Sequence, residues 1–429
     1  MRLVSPVVLG LMLAVAGSAT VATPAFAAKK EKEPAAPKRN FSKAFVEKAQ
    51  PLDKAAQAKD YAALAAALGE AQAAATSPDD KYMVGYYVLQ LGTGTNDIAK
   101  QRDGIKQMLA TGTAGPDEAK FNFFAGKLAY DAKDYDDAIP YLQKATDAGY
   151  EGSSSPLLLA ESYFQKAIVA SGGTGQLNAA SKPVAQQGLA PLKKAIEVEK
   201  AAGKPVPAAW MERGFTIAYV SGSPDAADWS KQNLMANPSG KNWSNLLRTF
   251  QDTNKTITRG ENLDLLRLMR QTGSFQSEGA YGEYIDIASK SGLLGEVKSV
   301  IEEGRAAGKI APAKFADYYG QANEGIAKDK ASLAAGEASA AKAPTGRPAA
   351  STADAYLGYK DYAKAISLYR TALQKGSVDA GEVNTRLGIA LALSGDAAGA
   401  KSAFEQVTTG ARKSIAEYWL LWLSTKQAA

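Results

Sequence analysis

Lys133-Asp134-Tyr135-Asp136-Asp137-Ala138-Ile139-Pro140-Tyr141-Leu142 decides the fold, because its pattern returns as Lys360-Asp361-Tyr362-Ala363-Lys364-Ala365-Ile366-Ser367-Leu368-Tyr369. A third Lys-Asp-Tyr triplet stands at Lys59, Asp60 and Tyr61. Each triplet opens an Ala-rich helical pattern, and the first two continue from a turn residue and an aromatic to a small residue three later and a large residue four after that. This reads as the second helix of a helical hairpin. The small residue lets two helices approach, and the larger ones fill the space beside it. If hairpins repeat, the small position must recur at a fixed period. Gly104 to Ala138, Val297 to Ala331 and Ala331 to Ala365 are each 34 residues, and Ala365 to Ala400 is 35. Ala138 to Ala226 is 88 residues, and most of the excess over two periods belongs to the low-complexity stretch 171–188.

The pattern resembles the tetratricopeptide repeat: Trp, two residues, Leu-Gly, two residues, Tyr, then Ala-x-x-x-Phe, then Pro. Trp210, Gly214, Ala226 and Pro238 stand at the Trp, Gly, Ala and Pro spacings. Leu387-Gly388, Leu391, Ala400 and Phe404 match in another unit, and Gly126, Ala138 and Leu142 in a third. Arg213 departs from Leu, and Ser230 from Phe. Ten units begin near Phe41, Pro78, Pro116, Ser155, Val206, Lys241, Ser277, Ala311, Pro348 and Gly381. In the eighth, Phe315, Tyr318 and Tyr319 fit a first helix, and Ala331, Ala335 and Ala338 a second. The resemblance implies an all-α, right-handed α-solenoid of stacked antiparallel helical hairpins. Alternating Val/Ile/Thr runs and Asn-Gly hairpin turns are missing from the body of the chain. The expected organisation is a solenoid over 41–340, a loop or hinge at 341–351, two further units over 352–412 and a C-terminal capping helix at 413–429. The Ala/Pro/Gly-rich run 337–351 motivates the hinge. The apolar run IAEYWLLWL at 415–423 motivates the cap, since the end of a solenoid exposes an uncovered face; a docking or membrane-touching helix is the alternative.

The chain has 429 residues with no Cys and no His. Disulfides, Cys- or His-ligated metals, Ser-His-Asp and Cys-His nucleophile systems and an imidazole base are therefore excluded. Residues 1–27 read as a secretory signal peptide: Arg2, an apolar core from Val7 to Val15, and Ala25-Phe26-Ala27 as the cleavage site. The apolar core is short for a span of about 20 residues, so no integral membrane span is expected in the mature chain. An exported, periplasmic location is expected. Residues 28–40 are expected to be a disordered basic linker. Within it, Lys29 to Arg39 holds five basic and two acidic residues; Arg2 is the one charge before it, so the remainder carries +2 of the chain's +6. A near-neutral body does not point to nucleic acid.

No Gly-x-x-x-x-Gly-Lys-Ser/Thr phosphate loop is present. The acid pairs Asp136/Asp137 and Glu302/Glu303 lie on predicted helix faces, where solvated surface is the default. No cofactor, metal or catalytic residue is assigned, and the chain reads as a non-enzyme that binds a protein or peptide partner. The alternatives are an adaptor of an outer-membrane secretion or polysaccharide-export system and a carbohydrate-active enzyme. The resemblance implies that residues two, five, nine and twelve of each first helix line the concave side. These give Tyr82 and Tyr86 in unit two, and Lys120, Phe123, Lys127 and Tyr130 in unit three. They give Phe164 in unit four, and Met211 and Phe215 in unit five, with Tyr219 just beyond. The family's Lys/Asn/Arg carboxylate clamp is not matched at its Asn positions. Arg267 and Arg270, three apart on one helix, read as a solvated face or as a patch for an acidic partner.

Overall fold

The computed structural model describes residues 39–173 and 175–427, and among them every regular element is helical. The expected signal peptide and nearly all of the expected linker lie outside the described residues. Helices pair in chain order: α1 (Lys43–Ala58) with α2 (Tyr61–Ala74), α3 (Pro78–Gly94) with α4 (Ile98–Ala110), and α5 (Glu118–Asp131) with α6 (Tyr135–Asp147). Next come α7 (Ser154–Ala170) with the short α8 (Ser181–Gln187) and α9 (Leu189–Ala201), then α10 (Ala208–Ser221) with α11 (Ala226–Ala236). They are followed by α12 (Gly240–Thr253), α13 (Arg259–Gln271), α14 (Glu278–Lys290), α15 (Leu294–Ala306) and the long α16 (Ala316–Lys342). The chain ends with α17 (Arg347–Gly358), α18 (Tyr362–Lys375), α19 (Ala380–Ser394), α20 (Ala397–Glu405) and α21 (Gly410–Gln427). The fold is an all-α solenoid of stacked antiparallel hairpins.

The Lys-Asp-Tyr triplet is the joint of a hairpin. Lys59, Lys133 and Lys360 take left-handed φ of 55°, 62° and 65°. The amide of the following Asp donates five residues back, to the carbonyls of Ala55, Ala129 and Tyr356, and the Lys amide donates three back, to Ala56, Tyr130 and Leu357. This double closure satisfies the carbonyls at the end of the first helix. The same Asp then caps the second helix, its carboxylate accepting from the amides of Ala63, Asp137 and Lys364, at about 1 kcal/mol per cap. One residue thus ends one helix and begins the next, so the two must run antiparallel.

The recurring small residue works by close approach. A Cβ on Gly104 would stand 2.4 Å from the Leu89 amide nitrogen and 2.6 Å from the Gly85 oxygen. Backbone cannot step aside as a side-chain tip can, so glycine is required where α3 crosses α4. A Cβ on Gly214 would stand 2.2 Å from the fully buried ring of Trp229. In that hairpin the bulky partner is therefore Trp229, one residue before the Ser230 that the repeat spacing selects.

Two kinds of core result. From Phe45 to Trp229 the buried residues form four successive small clusters, each shared by consecutive elements. From Leu234 to Leu423 they form one continuous core. There the solenoid closes on itself, because α13 packs against both α19 and α21. Phe250 of α12 also meets Tyr418 of α21 edge-on at 5.5 Å. Helix α21 covers the last hairpin, as a cap does, and in addition docks on α13.

Several expectations need correction. The eighth hairpin is the single 27-residue helix α16: no proline interrupts its middle, and Gly320 and Gly325 keep helical backbone there. The hinge expected at 341–351 contracts to residues 343–346, with helix on both sides. Ala is the best helix former, and Pro348 falls in the first turn of α17, where a missing N–H costs nothing. That break is also tied down: Lys375 Nζ donates to the carbonyls of Ala340, Ala341 and Ala343 at 2.6–2.8 Å. The low-complexity stretch contains helix α8 over its last third.

Candidate partner-binding surface

The first helices of successive hairpins are joined side by side through their polar residues. Arg213 on α10 makes a two-pronged pair with Glu161 on α7, both bonds 3.0 Å. Lys241 on α12 pairs with Glu212 on α10 at 3.1 Å, and the Tyr219 hydroxyl donates to Asp252 on α12 at 2.8 Å. Arg248 on α12 reaches Glu283 on α14 at 2.7 Å. The charges along this face are matched within the protein.

The ten residues assigned to this face separate by burial. Phe164 has no exposed surface: it packs against Gly188 and lies beneath the Arg213 guanidinium, 5.1 Å from the ring centre. A side chain without accessible surface touches no partner, so Phe164 is a packing residue. Phe123, Met211 and Phe215 are also buried. Phe123 fills the joint between Phe124 and Tyr150, at 5.6 and 5.7 Å. Tyr82 is buried because the Arg39 guanidinium covers its ring at 3.3 Å. Tyr86, Lys120, Lys127 and Tyr130 are half-buried, and Tyr219 is 46% exposed. Lys120 pairs loosely with Asp117 at 3.9 Å, and Lys127 with Asp131 at 2.7 Å. Tyr130 sits edge-on to Tyr135 at 5.6 Å. Burial first, then the nearby Glu161 carboxylate, push its phenol up to about 12. The Tyr219 phenol is also raised, first by its bond to Asp252 and then by burial.

Glu161, Arg213, Asp252, Arg248 and Glu283 complete the surface and were not singled out from sequence. Two carried a signal. Arg213 replaces the Leu of the repeat pattern, and Glu161 follows the small residue Ala160 at the ninth position of its unit.

No family model matches the chain, and no curated protein matches it. Among solved structures it is similar to yeast Tom70, at 11% identity, 90% of this chain, 96% of that one and a TM-score of 0.24. It is similar to the P58(IPK) TPR domain at 13% identity, 90% and 99% coverage and a TM-score of 0.22. For the APC/C hetero-tetramer Cut9-Hcn1 the values are 10%, 85%, 66% and 0.21. At such TM-scores the whole shapes do not superpose, and the fold rests on the helix packing described above.

The expectation for Arg267 and Arg270 is overturned. Arg267 is 4% exposed, donating to Asp264 at 2.8 Å and to Glu296 at 2.5 Å. Arg270 pairs with Glu303. Asp264, wholly buried, also holds Arg412 at 2.8 Å and Arg386 at 3.4 Å. This cluster fastens α13 to α19 and α21 and is neither a solvated face nor a free basic patch.

The residues just before α1 are also anchored, against the expected disordered linker through residue 40. The Asn40 amide donates to Asp79 at 2.8 Å, and the Ser42 amide to Asp80 at 3.0 Å. Asp80 is wholly buried. Burial alone would raise its carboxyl, but donation from the amides of Ser77, Ser42 and Thr76 outweighs it and brings the value to about 2. A carboxyl depressed from 3.8 to about 2 contributes about 2 kcal/mol. That stability is fully present above pH 3.8 and lost as pH falls through about 2. Asp80→Asn is expected to lower the urea midpoint at pH 7 and to lose most of that deficit near pH 2. An equal deficit at both pH values would separate the effect from the carboxylate charge.

Among the described residues no group of three Asp or Glu side chains is arranged to hold a metal ion. No described helix is long and apolar enough to cross a membrane.

Proposed function

We propose that the chain is an exported, non-enzymatic scaffold that binds a protein or peptide partner in the cell envelope, through the first-helix face of units two to five. The observation that carries this reading is the tyrosines Tyr86, Tyr130 and Tyr219, left partly open on an array whose charges are already paired. Rigid aromatics offer contact area at little conformational cost. The stretch α3 to α10 is held by contacts between neighbouring elements, so its face is free of the closure that seals the C-terminal half. The signal-like residues 1–27 support export; a mature N-terminus at Ala28 in envelope fractions is the expected result. An adaptor role in secretion or polysaccharide export is a narrower form of the same reading.

Crosslinking in intact envelopes identifies the partner. The Tyr130→Ala, Tyr219→Ala double variant is then expected to weaken that purified complex by about 2 kcal/mol, the hot-spot scale, with melting little changed. A folded double variant that binds as tightly as the parent would move the interface elsewhere. Turnover of a glycan by the pure chain would replace the scaffold reading with an enzyme.

A further inference from the structure

Arg39 lies in a built receptor. Its guanidinium stacks on the Tyr82 ring at 3.3 Å. Nη1 donates to Asp79 Oδ1 at 3.2 Å and to the Thr113 hydroxyl at 3.1 Å, and Nη2 donates to the Thr113 carbonyl at 3.1 Å. Helix α3 supplies the ring and the carboxylate; the turn after α4 supplies the threonine. A π face flanked by acceptors on two elements, the Asp79 carboxylate and the two Thr113 oxygens, suits the planar fork of donors of a guanidinium better than the compact ammonium of lysine. The second oxygen of Asp79 accepts the amide of Asn40, the next residue. The receptor therefore reads an arginine together with the backbone N–H that follows it, which is a peptide feature.

Two further facts set this apart from an ordinary helix contact. Arg39 and Asn40 precede α1 and belong to no helix, so the occupant enters as irregular chain. Tyr82 also lies on the first helix of unit two, on the face proposed to bind a partner.

We propose that this cradle is an arginine-recognition site, filled at rest by the chain's own Arg39 and, in the complex, by an arginine of the partner peptide. The inference rests on the scaffold reading and adds the chemistry of its ligand. A tethered occupant lowers the apparent affinity for an external one in proportion to the fraction of time the site is open. If Arg39 fills the cradle about nine-tenths of the time, removing it strengthens external binding about tenfold.

The probe is a blocked peptide of residues 36–40, Ala-Pro-Lys-Arg-Asn, titrated against the full chain by calorimetry. Saturable binding to the Arg39→Ala chain, about tenfold weaker on the unaltered chain, is expected. Binding should vanish when the arginine of the peptide is replaced by lysine, and when Tyr82→Ala is added to the Arg39→Ala chain. If Arg39→Ala does not fold, Arg39→Lys keeps the charge, removes the fork and must show the same gain. No saturable binding to a folded variant would overturn the proposal and make Arg39 an anchor only. Equal binding of the lysine peptide would overturn it as well, reducing the contact to general charge attraction. Either failure leaves the Tyr130/Tyr219 test of partner binding untouched, so the two readings fail separately.

Discussion

Asp264→Asn is expected to destabilise the C-terminal half by about 3–5 kcal/mol, the cost of breaking a buried ion cluster by removing one member. Among the described residues Asp264 is the only carboxylate that reaches Arg267, Arg386 and Arg412 together. An asparagine in its place leaves three guanidinium groups gathered around an uncharged amide. Burial works against the charged carboxylate, but Arg386, Arg267 and Arg412 outweigh it and hold its pKa below the ordinary 3.8. Its contribution is therefore complete above pH 3.8 and declines as pH drops through the lower folded value. The expected signature in urea is a tryptophan-fluorescence transition whose share from Trp243, Trp419 and Trp422 of the closed half moves to lower denaturant, ahead of the share from Trp210 and Trp229 of the N-terminal array. The far-UV signal of the N-terminal array should lag behind it. Lys241→Ala is the comparison: that pair is largely exposed, and its loss should cost under about 1 kcal/mol. An unchanged midpoint for Asp264→Asn would show that the cluster does not hold the closure.

The hairpins were legible in the sequence because their causes are local. A left-handed turn, an Asp cap and a glycine at the crossing point all act within one unit, and each leaves a residue at a fixed spacing. Lys133-Asp134 and Gly104 can be read without knowing what lies elsewhere. Closure has no such trace. Arg412 and Asp264 stand 148 residues apart, and nothing in a 34-residue period links them. Arg267 and Arg270 show the same i, i+3 spacing whether water or a buried carboxylate faces them, so the charged stripe pointed to solvent while the fold placed partners there. The binding face was legible as positions but not as exposure. Tyr82 is covered by Arg39, Phe123 by Tyr150 and Phe164 by Arg213, and each covering side chain comes from outside the motif position it shields. Helix α16 departs for another reason: the repeat phase calls for a turn between Tyr319 and Ala331, but no proline and no left-handed residue stands there to stop the helix.

Trp419→Ala is expected to cost about 3–5 kcal/mol, the range for emptying a large buried aromatic site. Trp419 has no exposed surface. It stacks on Phe404 with ring centres 6.1 Å apart and meets Trp422 edge-on at 5.4 Å. Its indole Nε1 donates to the Asp264 carbonyl at 3.2 Å. The residue thus joins α21 both to the last hairpin and to α13. Because it shares α13 with the ion cluster, its effect should not add to that of Asp264→Asn. Once one substitution has released α21, the second has less left to break, so the double variant should fall short of the sum by about 0.5–3 kcal/mol. The released helix carries Trp422 and Leu423 into water beside an uncovered last hairpin, and self-association on gel filtration should rise. The N-terminal array should stay helical under the same conditions, since its cores are separate from the one α21 completes. Full additivity in the double variant would mean that the cluster and the indole hold different contacts, and an unchanged midpoint for Trp419→Ala alone would remove α21 from the closure.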